Sequence, residues 1–479
     1  MTSLLSTRVA ICLLFCFVAA AQAAGQELRA GAATSNITPS IGDPLIGGFL
    51  PVISTHVHDE LHARCLVLDD GTTKLAIVVC DLLGIHRILS DEARKLIGER
   101  LKIPRECVLI CATHTHSAPS ALGEDRYNPE PALDDYQRFI ARRIADGVTR
   151  AANNLRPAEI AFGTAEAPEH VFNRRWNMRP GTIPENPFGG SDLVQTNPGG
   201  NPNLVDPAGP TDPTISFIAV REPGGALISV FASYSLHYVG GEGPGHITAD
   251  YYGMFCQHLE KLLASEHATS AMDSPPPVAM LANGTSGDVN NVDFRNGRPP
   301  KKPYEQMRFV AEDVAQKVYA ALGKCEYRPQ AALAARYREA VIGTRRPDAH
   351  QLEWAKETIA KGSPEKRDLP YIYAQRTLSL EGHPETTIIP LQILRIGDVC
   401  IGTMPCEVFC EIGLDFKRRS PVQPAVLVSL AHGYFGYLPT PRHLDLGGYE
   451  TWLGTNRLER DASDKMLAEL LEMAEELKQ

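Results

Sequence analysis

Short apolar runs separated by amphipathic stretches recur along most of this chain. The runs at Leu66 to Leu68, Lys74 to Cys80, Val108 to Cys111, Thr214 to Val220, Ala226 to Ser233, Val278 to Leu281 and Val399 to Thr403 predict strands. Between them, apolar residues return at helical spacing over Ser90 to Leu101, Asp134 to Asn154, Asp250 to Ala264 and Tyr304 to Leu322, and Asp461 to Lys478 predicts a last amphipathic helix packed on the domain. This alternation argues an α/β fold of mixed β-sheets flanked by helices. Two segments break the pattern. Pro187 to Pro213 is crowded with Pro, Gly and Asn and is expected to overhang a site. Arg345 to Pro384 opens with a helical stretch, Asp348 to Lys361, and reads as a surface insertion without chemistry. No internal repeat and no long linker is visible.

The run Val108 to Ala112 stops at Thr113-His114-Thr115-His116. Five apolar residues in a row fit a strand buried on both faces, so the residues that follow emerge where α/β sheets bind ligands. Neutral imidazole is the commonest zinc ligand, although an isolated His-x-His fits hydrogen-bonded loop histidines equally well. Two other predicted strands end similarly: Leu227 to Ala232 leads to His237, and Val399 to Thr403 leads to Glu407, ahead of a helical run with Phe409, Ile412 and Phe416. Two histidines and a glutamate at strand ends form a donor set for zinc with an open coordination position. Plainer roles exist for each singly. Glu407 fits a carboxylate at a helix N-terminus, Asp288 a turn residue, and Tyr437 a buried aromatic with a bonded hydroxyl. Glu411 is the fallback ligand, and His56, His58 and His62 read as turn or edge residues.

Composition narrows the function classes. A net charge of −10 with 22% charged residues and no basic stretch argues against nucleic acid as a partner. Arg8, the apolar run Val9 to Ala21 and Ala21-Gln22-Ala23 predict a signal peptide over residues 1–23, so the mature chain is expected to be secreted or periplasmic. Leu13-Leu14-Phe15-Cys16 offers a rival lipoprotein reading. The apolar run is shorter than the ~20 residues a membrane span needs, and no later charge-free window reaches that length, so no transmembrane segment is expected. Of 11 cysteines, Cys12 and Cys16 lie in the leader, and the odd number remaining cannot all pair. At most one or two disulfides are expected, and no Cys-x-x-Cys suggests a thiolate zinc site.

With these motifs in view, the chain resembles the neutral/alkaline, non-lysosomal ceramidase family, zinc amidases that cleave the N-acyl bond of ceramide. Ala30 to Pro39 matches the family's opening and Ala112 to Ser117 its signature. Pro405-Cys406-Glu407-Val408-Phe409 stands where the family has Pro-Gly-Glu-Phe-Thr, and Gly433 to Tyr437 matches its late tyrosine cluster. The resemblance implies zinc ligands at His114, His237, Glu407 and Tyr437. It implies substrate-contacting roles for His116, for Arg174 (with Arg175 as the alternative) and for Tyr449. One departure bears on mechanism: the family's catalytic serine falls on Asn290, within Gly287-Asp288-Val289-Asn290-Asn291, and an amide cannot replace a hydroxyl nucleophile. The hydroxyls of Thr285 and Ser286 lie upstream of that position.

The resemblance ends near residue 455, leaving the family's C-terminal β-sandwich domain without a counterpart, and one catalytic domain is expected over 24–479. The resulting expectation is a secreted zinc-dependent hydrolase that cleaves an N-acyl amide, ceramide or a related lipid, with zinc-activated water in which Asn290 takes part. Its substrate is a small-molecule or lipid amide, and peripheral membrane contact is compatible with it. Two alternatives stand beside it: a zinc hydrolase of another amide or an ester, and a non-catalytic, zinc-retaining binding protein.

Overall fold

The longer strands sort into three sheets whose four main strands share one topology. The first holds β1 (Arg29–Asn36), β2 (His62–Asp69), β3 (Lys74–Cys80) and β4 (Val108–Ala112). The second holds β5 (Glu159–Glu166), β6 (Thr214–Arg221), β7 (Leu227–Tyr234) and β8 (Val278–Asn283). The third holds β9 (Leu333–Gly343), β10 (Thr386–Ile396), β11 (Val399–Thr403) and β12 (Ala425–Val428). In each sheet three strands run as an antiparallel meander, and the fourth pairs parallel to the third. A parallel partner needs a crossover connection. Here a helix supplies it each time: α1 (Arg87–Leu101) after β3, α3 (Asp250–Glu266) after β7 and α7 (Cys410–Arg419) after β11. The computed structural model describes residues 27–123, 128, 131–266, 275–362 and 368–478, and the expected signal peptide lies outside them.

The remaining helices cover the sheets. The helix α2 (Asp135–Asn153) starts at a capping box between Asp134 and Gln137 and buries Ile140, Ile144 and Val148, a four-residue stripe, over β1 and β2. The helix α4 (Glu305–Leu322) lies beside α3, α5 (Ala349–Lys361) and α6 (Leu369–Ser379) form a hairpin between β9 and β10, α8 (Pro441–Leu446) is short, and α9 (Ala462–Glu476) packs on β9 and β10. One apolar core joins all three sheets, with Leu66, Ile77 and Ile110 in the same cluster as Phe231, Met280, Leu394 and Val428.

The C-terminal ends of the three parallel strands β4, β8 and β12 are bonded to one another. Asn283 Nδ2 donates to Thr113 O (3.1 Å), Ser429 N donates to Asn283 O (3.0 Å), and Ala112 N donates to Leu430 O (3.1 Å). Three strand ends thus meet at one place, where each sheet delivers residues to a common site.

Other features bear on the expectations from sequence. The topology repeats three times although no repeat is visible in the sequence, because what recurs is strand order rather than residue identity. The segment 187–213 is partly ordered into strands, with Val194–Thr196 and Leu204–Pro207 flanking Arg175–Met178. Within 345–384, where a surface insertion without chemistry was expected, α5 and α6 pack on each other and α6 reaches the candidate site through Leu369 and Arg376. Cys65, Cys80, Cys107, Cys111, Cys256, Cys325, Cys400, Cys406 and Cys410 are all unpaired thiols. No helix among the described residues is long and apolar enough to cross a membrane.

Candidate metal centre

His114 is the first residue of the site to leave its strand. Thr113 N still bonds Cys80 O (2.9 Å) and His114 N bonds Leu82 O (2.9 Å), yet His114 sits at φ 75°, a region non-glycine residues seldom occupy. Such a conformation persists only when surrounding bonds enforce it, and it clusters at functional sites. His114 Nδ1 hydrogen-bonds Leu83 O (2.6 Å), which fixes the proton there and leaves the Nε2 lone pair free. His237 follows the same rule, with Nδ1 3.1 Å from Ser286 O. Nε2 of His114 lies 3.2 Å and Nε2 of His237 3.7 Å from Glu407 Oε2.

Those facing atoms lack what buried polar atoms require. His237 Nε2 and Glu407 Oε2 are both buried without a hydrogen bond of acceptable geometry, and leaving such atoms unsatisfied costs about 1–3 kcal/mol each. A cation between them would satisfy both. His116 joins the cluster, its Nε2 3.1 Å from His114 Nε2, and the ligand atoms of His114, His116 and His237 lie within 4.8 Å of one another. Imidazole and carboxylate are both ligand types that zinc takes.

Electrostatics agree with ligands held deprotonated. Burial pushes the His116 and His237 imidazoles well below the ordinary value, and the neighbouring His114 adds to it. Burial alone would raise the Glu407 carboxyl, but positive charge at His114, which a bound cation would supply in its place once His114 is neutral, and hydrogen bonds from Tyr437 and Tyr434 hold it at about 2. Tyr434 donates to Glu407 Oε1 at 2.7 Å. Glu407 and Tyr437 sit opposite each other in a short parallel strand pair, Glu407–Val408 with Tyr437–Leu438. The loop at Gly287 lies so close to Glu407 O that a Cβ there would meet it at 2.5 Å.

Around the cluster lies a cavity of about 570 Å³. His114, His116, Arg174, Tyr238, Glu407, Tyr437 and Tyr449 line it, together with Ile46 to Leu50, Thr196 and Asn197. These last two belong to the segment 187–213, which was expected to overhang the site. His116 stacks on Tyr238 with ring centroids 3.7 Å apart. Arg174 lies over the Tyr437 ring at 5.2 Å, with Nε on Glu450 Oε1 (2.9 Å) and a second nitrogen on Gly287 O (2.8 Å). Arg175 takes the other Glu450 oxygen (2.7 Å) and His443 O and is fully buried, so Arg174 is the arginine that faces the cavity.

Other candidates fall elsewhere. Asn290 pairs with Phe172 in a short antiparallel bridge, half-buried, and is not among the cavity-lining residues. Asp288 accepts Cys410 N (2.8 Å) and Asn173 Nδ2 (2.8 Å), a structural carboxylate at the start of α7. Glu411 faces Arg442 and Thr440, away from the cluster. Ser286 Oγ bonds Asn283 Oδ1 (2.7 Å) and stands beside Nδ1 of His237, the side of the ring turned away from Glu407. His56 meets His246 edge-on, and His58 stacks on Tyr304, apart from the cavity. Sequence reasoning gave no role to Tyr434, which lies inside the matched tyrosine cluster, or to Glu450, which follows Tyr449.

No family model and no curated protein matches the chain. Among solved structures, the neutral ceramidase from Pseudomonas aeruginosa superposes with a TM-score of 0.68 at 18% identity, covering 95% of this chain and 75% of that one. A ceramidase complexed with C2 superposes with a TM-score of 0.69, also at 18% identity and over the same shares. At that identity the likeness is one of fold: over nearly its whole length this chain adopts the mixed α/β architecture seen in these two ceramidase structures.

Proposed function

We propose that the chain is an exported zinc-dependent hydrolase of the neutral ceramidase type, cleaving an N-acyl amide bond in ceramide or a related lipid, with His114, His237, Glu407 and Tyr437 as the metal ligands. The observation that carries this reading is the pair of buried, unsatisfied atoms, His237 Nε2 and Glu407 Oε2, turned toward each other beside His114 Nε2. Zinc bound there supplies Lewis-acid polarisation of a carbonyl and activation of water. His116, held by Tyr238 and kept neutral by burial, accepts a proton and delivers it to the leaving amine. Arg174, fixed by Glu450 and Gly287 O, and Tyr449 hold the negative charge that develops on the carbonyl oxygen. Asn290 stands outside the cavity lining, which supports attack by water rather than by a side chain at that position.

A lipid substrate is supported by the segment beside the cavity. Ile46, Phe49 and Leu50 line it, while Ile41, Leu50, Val52 and Ile53 are 47–61% exposed, an apolar lip next to the opening. Peripheral contact with a lipid surface follows from that placement.

The test pairs metal content with turnover on short-chain ceramide, an N-acyl amino acid and an acyl ester. His114→Ala and His237→Ala are expected to lose both bound zinc and activity, while Asn290→Ser keeps the metal. Full-rate hydrolysis by metal-free protein would overturn the proposal. Asn290 at the serine position favours a second reading, a zinc-retaining binding protein, and tight ligand binding without turnover on any of the three substrates would establish it instead.

A further inference from the structure

The far wall of the cavity comes from the helical hairpin α5–α6, through Leu369 and Arg376. This hairpin is firmly seated. Tyr373 is fully buried between Phe49 (centroids 6.4 Å), Phe188 (5.6 Å) and Trp452 (5.2 Å), and its hydroxyl bonds Thr455 Oγ1 at 2.6 Å. Trp354 of α5 packs on Phe188 at 5.1 Å. Arg376, one turn beyond Tyr373 on α6, therefore has a defined place. Its guanidinium lies over the Phe49 ring at 5.2 Å and the Tyr373 ring at 4.9 Å, and one nitrogen donates to Thr455 Oγ1 at 3.2 Å. Gly454, at φ 89°, leaves the room: a Cβ there would come within 2.9 Å of Arg376 Cβ.

What Arg376 lacks is a counter-charge. A guanidinium presents five N–H donors and stays charged, yet Thr455 Oγ1 is the only hydrogen-bond acceptor it meets and no carboxylate pairs with it among the described residues. The contrast with Arg174 is direct, since Glu450 holds that side chain from behind. Across the whole cavity lining the charged side chains are Arg174, Arg376 and Arg457 against one carboxylate, Glu407. A divalent cation at the metal centre would make the cavity more positive still. Low-dielectric walls focus such a field on whatever enters.

The route from the metal centre to Arg376 is paved with rings. Tyr437, beside Glu407, contacts Tyr449 (5.8 Å), Tyr449 contacts Phe49 (5.8 Å), and Phe49 lies under the guanidinium. A substrate with its scissile amide at the metal can therefore extend over aromatic surface and end at a cation.

We propose that Arg376 is a specificity residue of this site, and that the preferred substrates are N-acyl amides whose amine-derived half carries an anionic group, a carboxylate above all. The proposal rests on the amidase reading given above. Recognition is a bidentate or water-bridged pairing between the guanidinium and the anion, partly screened from solvent by Phe49 and Tyr373. The reaction is the same hydrolysis: water adds to the acyl carbon, the C–N bond breaks, and the products are a fatty acid and an amine that retains the anion.

The experiment compares matched substrates on zinc-loaded protein: N-dodecanoylglycine and N-dodecanoylglycylglycine, each beside its C-terminal carboxamide, with short-chain ceramide as a further neutral amide. Wild-type protein is expected to show kcat/KM at least tenfold higher for one carboxylate than for its carboxamide, mostly through KM. Arg376→Gln is expected to bring that ratio close to one, and Arg376→Lys to restore part of it. Equal treatment of carboxylate and carboxamide by wild type, or a preference that survives Arg376→Gln, overturns the assignment while leaving the amidase reading intact. Absence of turnover on every amide by zinc-loaded protein would instead remove the amidase reading itself. The binding of N-dodecanoylglycine, measured by calorimetry on wild type and Arg376→Gln, then decides the role of Arg376 separately: equal affinity overturns it.

Discussion

At the scale of single residues, Tyr434 shows how a ligand is prepared. Glu407 has two oxygens with different surroundings: Oε1 accepts the Tyr434 hydroxyl at 2.7 Å, while Oε2 is left facing His114 and His237. The phenol therefore selects which oxygen a bound cation would meet. Outer partners of this kind are worth about 10–100-fold in metal affinity, so Tyr434→Phe is expected to weaken zinc binding by that factor, measured by competition with a chromophoric chelator, with the far-UV spectrum unchanged. Unaltered affinity would mean that the strand pair with Tyr437 orients Glu407 unaided. The four candidate ligands were readable in the sequence because each ends an apolar run or sits in a recognisable motif. Tyr434, Glu450 and Arg376 were not, because a hydrogen bond to a ligand or a missing counter-ion has no signature along the chain. Asn290 was given a place at the site by the family resemblance alone, and it forms a bridge with Phe172 and is not among the residues lining the cavity.

Elements were legible where burial was complete. The strands β3 and β11 match their predicted limits because each is a nearly pure apolar run, and α2 is framed by its capping residue Asp134. By contrast β9, Leu-Ala-Ala-Arg-Tyr-Arg-Glu-Ala-Val-Ile-Gly, carries helix-favouring residues and is half exposed, and eleven pairings with β10 hold it extended. Between elements, Glu411 shows a connection that no periodicity reveals: it ties α7 to α8 through Arg442 (2.5 Å) and His443 (3.5 Å). Burial would raise its carboxyl, but the hydrogen bonds from His443 and Arg442 hold it at about 2. A depressed acid contributes stability above its ordinary value of about 4.5, and loses it as pH falls toward about 2. The full shift corresponds to roughly 3 kcal/mol at about 1.4 per unit, and exposure of Arg442 reduces this to about 1 kcal/mol by solvent screening. Urea unfolding from pH 6 down to pH 2 is expected to show wild type losing that increment and Glu411→Gln lacking it, with parallel curves counting against the tie.

For the whole molecule, the repeated strand order explains why distant parts of the sequence share one site. His114 follows β4 of the first sheet, His237 follows β7 of the second, and Glu407 and Tyr437 flank β12 of the third. A cation held by all four would bridge three sheets that otherwise meet through the apolar core and the bonds linking Thr113, Asn283 and Ser429. Binding to the folded state alone stabilises by mass action, about 4 kcal/mol at a thousandfold excess over Kd. Zinc is therefore expected to raise Tm by several degrees over chelated protein, in calorimetry at fixed protein concentration, and His237→Ala is expected to abolish the increment. Asn283→Ala separates the bridge from the scaffold. It removes the bond to Thr113 O and frees Ser286, whose carbonyl orients His237. That variant is expected to lose about 1–3 kcal/mol without metal and to gain less from zinc than wild type does. If zinc raised its Tm by the full wild-type amount, the strand-end bonds would be scaffold alone, and the geometry of His237 would be set by its own strand.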